Sequence, residues 1–147
     1  MVDSFYMKFL RNAIHVHNKT ASCMVHGETG TTPIRILIRQ KILIFWHRLV
    51  TGAQTKLTNI LYNTQKLLFL TPNEYKSPWI SNVKRMLDEC GMTYIWENPD
   101  IIENHCFKKV IKLRLDDMYN QNWHAEIMRS NACLNYRILP KKFRFKE

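Results

Sequence analysis

The chain has 147 residues, enough for a real hydrophobic core, and its 46% apolar and 12% aromatic content excludes an intrinsically disordered polymer. Twenty-two Lys and Arg stand against twelve Asp and Glu, a net charge of +10. Such an excess points to a polyanion, nucleic acid or an anionic membrane, with a basic but merely solvated surface as the plainer alternative.

The charge is uneven: eight Lys/Arg against two acids over residues 1–60, four against six over 61–105, and ten against four over 106–147. No stretch reads as a signal peptide, because an early acid, Lys8 and Arg11 interrupt the start. The most apolar stretch, 34–50, carries Arg35, Arg39, Lys41, His47 and Arg48, too short and too charged to span a bilayer. A soluble protein of the nucleus or cytoplasm is expected, with no membrane partner.

Residues 4–17 read as an amphipathic helix, with Phe5, Met7, Phe9, Leu10 and Ile14 at helical spacing, Asp3 or Ser4 as cap, and Asn18 and Lys19 as its end. Residues 20–31 read as irregular, with at most one helical turn before Gly27. The string Gly27-Glu28-Thr29-Gly30 invites comparison with a phosphate-binding loop, but that loop needs a second glycine, a lysine and a hydroxyl where Thr32, Pro33 and Ile34 stand. The string instead marks a corner. Gly30 suits a left-handed turn, Thr32 a helix cap, and Pro33 the first position of a helix.

That helix, 33–51, is apolar nearly all round and is expected at the centre of a bundle, with one stripe of Ile34, Ile38, Ile42, Phe45 and Leu49 and with Gly52 as C-terminal cap. Residues 55–70 form a further helix carrying Leu57, Ile60, Leu61, Leu67, Leu68 and Leu70. After a loop punctuated by Pro72 and Pro78, Ser77 caps a helix with Trp79, Ile80, Val83 and Leu87 inward and Gly91 closing it. From Asn98-Pro99 a helical pattern runs to about Arg129, broken or kinked near Asn104, with Phe107, Val110, Ile111, Leu115, Met118 and Trp123 inward. Beyond Asn131 the pattern turns extended and ends in a tail where Phe143 and Phe145 interleave with cations. The fold class is all-α: one compact multi-helix bundle over 1–139, with a short extended basic tail over 140–147.

Chemistry-bearing residues are sparse. Cys23, Cys90, Cys106 and Cys133 form no C-x-x-C pair, so reduced thiols are expected. Cys90, His105, Cys106, His124 and Cys133 fit no zinc spacing, and His15-x-His17 points two ways on a helix. No metal or cofactor is expected. A cysteine nucleophile would need a base beside it, which sequence cannot place. Asp88-Glu89 and Asp116-Asp117 fall in helices that turn each pair onto different faces, with no third acid for two-metal chemistry. No catalytic residue is assigned.

The basic groups are the stronger candidates. Lys108, Lys109 and Lys112 cluster on one helix, and Arg35 and Arg39 lie one turn apart. Arg137, Lys141, Lys142, Arg144 and Lys146 charge the C-terminal segment. Cations hold phosphate, and interleaved aromatic rings can stack unpaired bases.

The order "KFLRNAIHVHNKTASCMVHGETGTTPIRILIRQKILIFWHRLV", "SPWISNVKRMLDECGMTYIW", "NWHAEIMRSNACLNYRIL" resembles the region that follows the reverse transcriptase domain in jockey-like non-LTR retrotransposon polyproteins. The resemblance covers roughly residues 8–139, and its landmarks include Gly27-Glu28, Phe45-Trp46, Ser77-Pro78-Trp79, Gly91, Trp96, Trp123 and Cys133-Leu134-Asn135-Tyr136-Arg137. His26 and Thr29 depart from it, standing where an aromatic and an aliphatic residue are usual. Relatives of that kind usually continue past Glu147, so a truncated end is expected. The resemblance implies a non-catalytic piece of an RNA-directed DNA polymerase polyprotein that helps hold RNA or the RNA–DNA intermediate. The alternatives are a module packing on the polymerase domain, or a relic reading frame. A contiguous exposed apolar face would favour packing; cations tucked against carboxylates would count against nucleic acid.

Overall fold

A computed structural model describes residues 2–52, 56–71 and 77–133. The described residues are all-α: seven α-helices and two short 3-10 turns, with no strand among them. In chain order the helices are α1 (Val2–Ala13), α2 (Ser22–Thr29), α3 (Ile34–Val50), α4 (Leu57–Leu70), α5 (Pro78–Glu89), α6 (Thr93–Glu97) and α7 (Asn104–Arg129). The 3-10 turns are Pro99–Ile101 and Asn131–Cys133. They gather into two compact units, one from the described residues 2–37 with 116–133 and one from those of 38–115, so α3 and α7 each contribute to both.

In the first unit α1 is shorter than its apolar pattern suggests. It stops at Ala13 because His15 takes a left-handed backbone, φ 53°, and the turn closes with Val16 N–H on the Arg11 carbonyl and His15 N–H on that of Asn12. Met7 and Leu10 are buried with Val25, while Phe5 and Phe9, expected inward, face solvent. The stretch expected to be irregular is instead α2. Its core residues Cys23 and Val25 are buried, and Gly30 ends it in the left-handed turn anticipated for that residue. Gly27 lies buried within α2, so no phosphate loop exists there. Arg11 reinforces the connection by donating to the Thr20 carbonyl at 2.9 Å and 3.1 Å.

The same unit closes over a second cluster of Cys23, Trp123, Ile127 and Cys133. The Trp123 indole N–H donates to the Cys23 carbonyl at 2.7 Å. The Cys23 and Cys133 sulfurs touch at 3.4 Å, and burial pushes the Cys23 thiol up from 9.0 to about 12, so it stays protonated.

In the second unit the core is aromatic. Trp46 is fully buried and stacks on Trp96 at 5.8 Å, and His47, also fully buried, stacks on Phe107 at 4.1 Å. His47 is held at both ring nitrogens, by Asn104 Oδ1 at 2.8 Å and the Pro99 carbonyl at 3.1 Å. Ile80, Val83 and Leu87 of α5 point inward as their spacing predicts, and Trp79 is half-buried. Gly91 closes α5 at φ 66°, with Met92 N–H on the Leu87 carbonyl and Gly91 N–H on that of Asp88. The interruption expected near Asn104 is real, since α7 starts there after the Pro99 turn.

The expectation that α3 is central and apolar on all sides needs correction: it is buried on one side only, for none of Ile34, Ile38, Ile42, Phe45 and Leu49 is buried, and Leu37, Ile38 and Phe45 are exposed. Leu43, Ile44, Trp46 and His47 are buried in their place. A helix apolar all round gives no direction from periodicity, so neighbouring rings decide which side turns in. Gly52 is not a left-handed cap, but a Cβ there would sit 2.9 Å from the Arg48 carbonyl, too close for any other residue without a shift.

Candidate interaction surface

Of the ten cations that the sequence singles out, five are described. Arg137, Lys141, Lys142, Arg144 and Lys146 lie outside the described residues. Arg35 is exposed in the first unit and lines a cavity of about 120 Å3 with Asp3, His26 and Glu126, so two carboxylates share its surroundings. Burial lowers the pKa of His26 at that wall, with Arg35 adding to the effect and the Thr31 carbonyl opposing it. Arg39, in the second unit, is held by Glu89 at 3.0 Å, and Glu89 also takes Arg85 at 2.9 Å. It is thus engaged with a carboxylate rather than available to phosphate. Lys108, Lys109 and Lys112 are exposed within little more than one turn of α7 and make no ion pair among the described residues.

The larger feature was not nominated. α4 is turned so that two of its polar residues, rather than its leucines, face the protein. Asn59 and Tyr62 are buried, 2% and 3% exposed. Two hydrogen bonds hold that orientation. The Trp46 indole N–H donates to Tyr62 Oη at 3.0 Å. Asn59 Nδ2 donates to the Leu49 carbonyl at 3.0 Å, satisfying one of the carbonyls left open at the C-terminus of α3. Asn59 Oδ1 accepts in turn from Asn63 at 2.8 Å.

With that face inward, the opposite one carries Leu57, Ile60, Leu61, Thr64 and Leu68, spaced to form a single stripe on a helix. Leu57 is 70% exposed, Leu61 54% and Leu68 41%. Leu61 also lines a recess of about 390 Å3 with Phe45, Leu49, Tyr62 and Trp79. A second recess of about 240 Å3 shares Phe45, Leu49 and Thr58 and adds Arg48 and Lys56. Exposed Phe45 of α3 stands between the two, its ring 6.4 Å from that of Trp79. A continuous apolar surface of this kind, rimmed by polar groups, is what protein contact sites look like. Its signal was present in the sequence as Leu57, Leu61 and Leu68; what was missing was the direction of the helix.

Two other groups have the chemistry for a site but not the setting. Cys106 Sγ lies 3.2 Å from His105 Nε2, and His105 Nδ1 3.1 Å from Glu103, the order of a thiol, a base and an orienting carboxylate. All three are exposed side chains from one short stretch at the start of α7. Among the described residues no three His, Cys, Asp or Glu gather as metal ligands, and no helix is long and apolar enough to cross a membrane. No protein-family model, curated protein or solved structure matches this chain.

Proposed function

We propose that the chain is a non-catalytic helical module of a non-LTR retrotransposon polyprotein that docks through the α3–α4 face of its second unit on a neighbouring protein domain. The reverse transcriptase domain of the same polyprotein is the partner that the sequence resemblance suggests. The observation that carries docking is the leucine stripe of α4, turned outward by buried Asn59 and Tyr62 and continuous with the Phe45 recess. Leaving several large apolar side chains in water costs about 1.5–3 kcal/mol for each that a partner could fully bury. The test is to express the chain with the polymerase domain encoded upstream of it and measure association by analytical ultracentrifugation. Association abolished by Leu61→Glu is expected; no association, or association indifferent to Leu61→Glu, overturns the reading.

A second reading, electrostatic contact with RNA or an RNA–DNA intermediate, is favoured by Lys108, Lys109 and Lys112 lying exposed together on α7 with no ion pair among the described residues. Each phosphate contact to a single strand contributes about −0.7 to the slope of log affinity against log salt. Replacing the three lysines with alanine flattens that slope by about 2 if they touch phosphate. An unchanged slope removes them from any such contact.

A further inference from the structure

We infer that the α3–α4 face receives an amphipathic helix with acidic flanks, supplied by another polypeptide or domain rather than by a second copy of this chain. The inference rests on the docking reading above and adds the chemistry of the occupant. Leu57, Leu61, Thr64 and Leu68 recur at steps of four, three and four residues, the spacing of a seam that takes the side chains of a second helix as knobs. The recess beside Leu61 gives a larger anchor side chain a place to enter, as in helix-in-groove recognition.

Among the described residues of α3, α4 and the two recesses, the charge has one sign. Neither α3 nor α4 contains an Asp or Glu; the smaller recess is lined by Arg48 and Lys56, the larger one carries no charged side chain, and neither has a carboxylate among the described residues. A second copy would bring the same cations to the same seam, on a chain already at +10, and like charges facing one another select against that pairing. Glutamates on the flanks of an incoming helix would meet Arg48 and Lys56 at the rim instead.

The test uses the whole chain and three synthetic 21-residue helices with one Leu face, flanked by Glu, Gln or Lys, followed by fluorescence anisotropy. The Glu-flanked peptide is expected to bind about five-fold more tightly than the Gln-flanked one, since two exposed ion pairs contribute modestly. That margin shrinks as salt is raised. Leu61→Glu, at a position already exposed, abolishes binding of both. Arg48→Glu with Lys56→Glu reverses the preference toward the Lys-flanked peptide. Equal binding of all three peptides overturns the acidic specification and leaves docking standing. Binding of none overturns both. A concentration-dependent dimer that Leu61→Glu dissolves assigns the seam to a second copy and overturns the inference. So does binding to phosphatidylcholine–phosphatidylserine vesicles that Leu61→Glu abolishes while no peptide binds.

Discussion

Tyr62→Phe tests the feature on which the surface depends, the inward set of the polar side of α4. The substitution removes one oxygen and leaves ring packing against Trp79 in place. Trp46 is fully buried and its indole N–H has Tyr62 Oη as its acceptor at 3.0 Å. An exposed hydrogen bond would be replaced by water, and its loss would cost about 0.5–1.5 kcal/mol. Here Tyr62 is only 3% exposed, so the indole is stranded and the cost is its desolvation, about 1–3 kcal/mol. Trp46→Phe removes the stranded donor along with much of the stack on Trp96, and in that background Tyr62→Phe becomes nearly neutral. The double-mutant cycle therefore gives a coupling energy of at least about 1 kcal/mol. Urea unfolding followed by tryptophan fluorescence measures all four proteins, and the Leu-faced peptide binds Tyr62→Phe more weakly because α4 is less firmly oriented. A Tyr62→Phe cost within about 0.3 kcal/mol of zero, or additive behaviour, would refute the argument that a buried polar pair sets the helix.

Two of the left-handed helix ends, His15 and Gly91, predict opposite signs. His15→Gly stabilises by about 1 kcal/mol, because a Cβ at φ 53° is strained, whereas Gly91→Ala, at φ 66° with open space around it, destabilises by about 1–2 kcal/mol; thermal melts of both distinguish backbone strain from contact loss. On the alkaline side, burial raises Cys23 from 9.0 and Tyr119 from 10.0, each to about 12. The unfolded chain releases those protons first, so stability holds below about pH 9 and falls toward pH 12, and Cys23→Ala with Tyr119→Phe flattens that fall in denaturant titrations. Iodoacetamide labels Cys106, which is exposed, before Cys23, Cys90 and Cys133, which are buried; peptide mass spectrometry reads the order, and early modification of a buried thiol contradicts the packing.

Much of the helical layout follows from local chemistry. Pro78 at the first turn of α5, Gly91 beyond its end, Gly30 before α3 and Pro99 ahead of α7 act through backbone geometry alone, so they are legible one residue at a time. The inward residues of α5, with Ile80, Val83 and Leu87 set against Asn82, Lys84 and Arg85, are legible for the same reason: only one face can be buried. His15 escaped that reading because a left-handed position favours glycine and gives little warning when another residue takes it. α2 escaped it because eight residues with a central glycine carry too little periodicity to separate helix from loop.

Helices with apolar residues on several faces are a different case. Along α3 and α4 the amino-acid order specifies that a helix forms, that it is rich in Ile and Leu, and that it contains cations but no acid of its own. It leaves open which apolar stripe goes inside, since the burial energies of Ile38 and Leu43, or of Leu61 and Tyr62, differ too little to choose. That choice falls to partners distant in sequence: Trp96 receiving Trp46, Asn104 holding His47, and the open carbonyl of Leu49 drawing in Asn59. Once those polar groups are paired inside, the leucines of α4 have nowhere to go but out. Charge and helix content are thus properties of the chain, whereas the face it presents to a partner belongs to the tertiary structure, because a buried hydrogen bond has to find its mate and an apolar side chain needs only a surface.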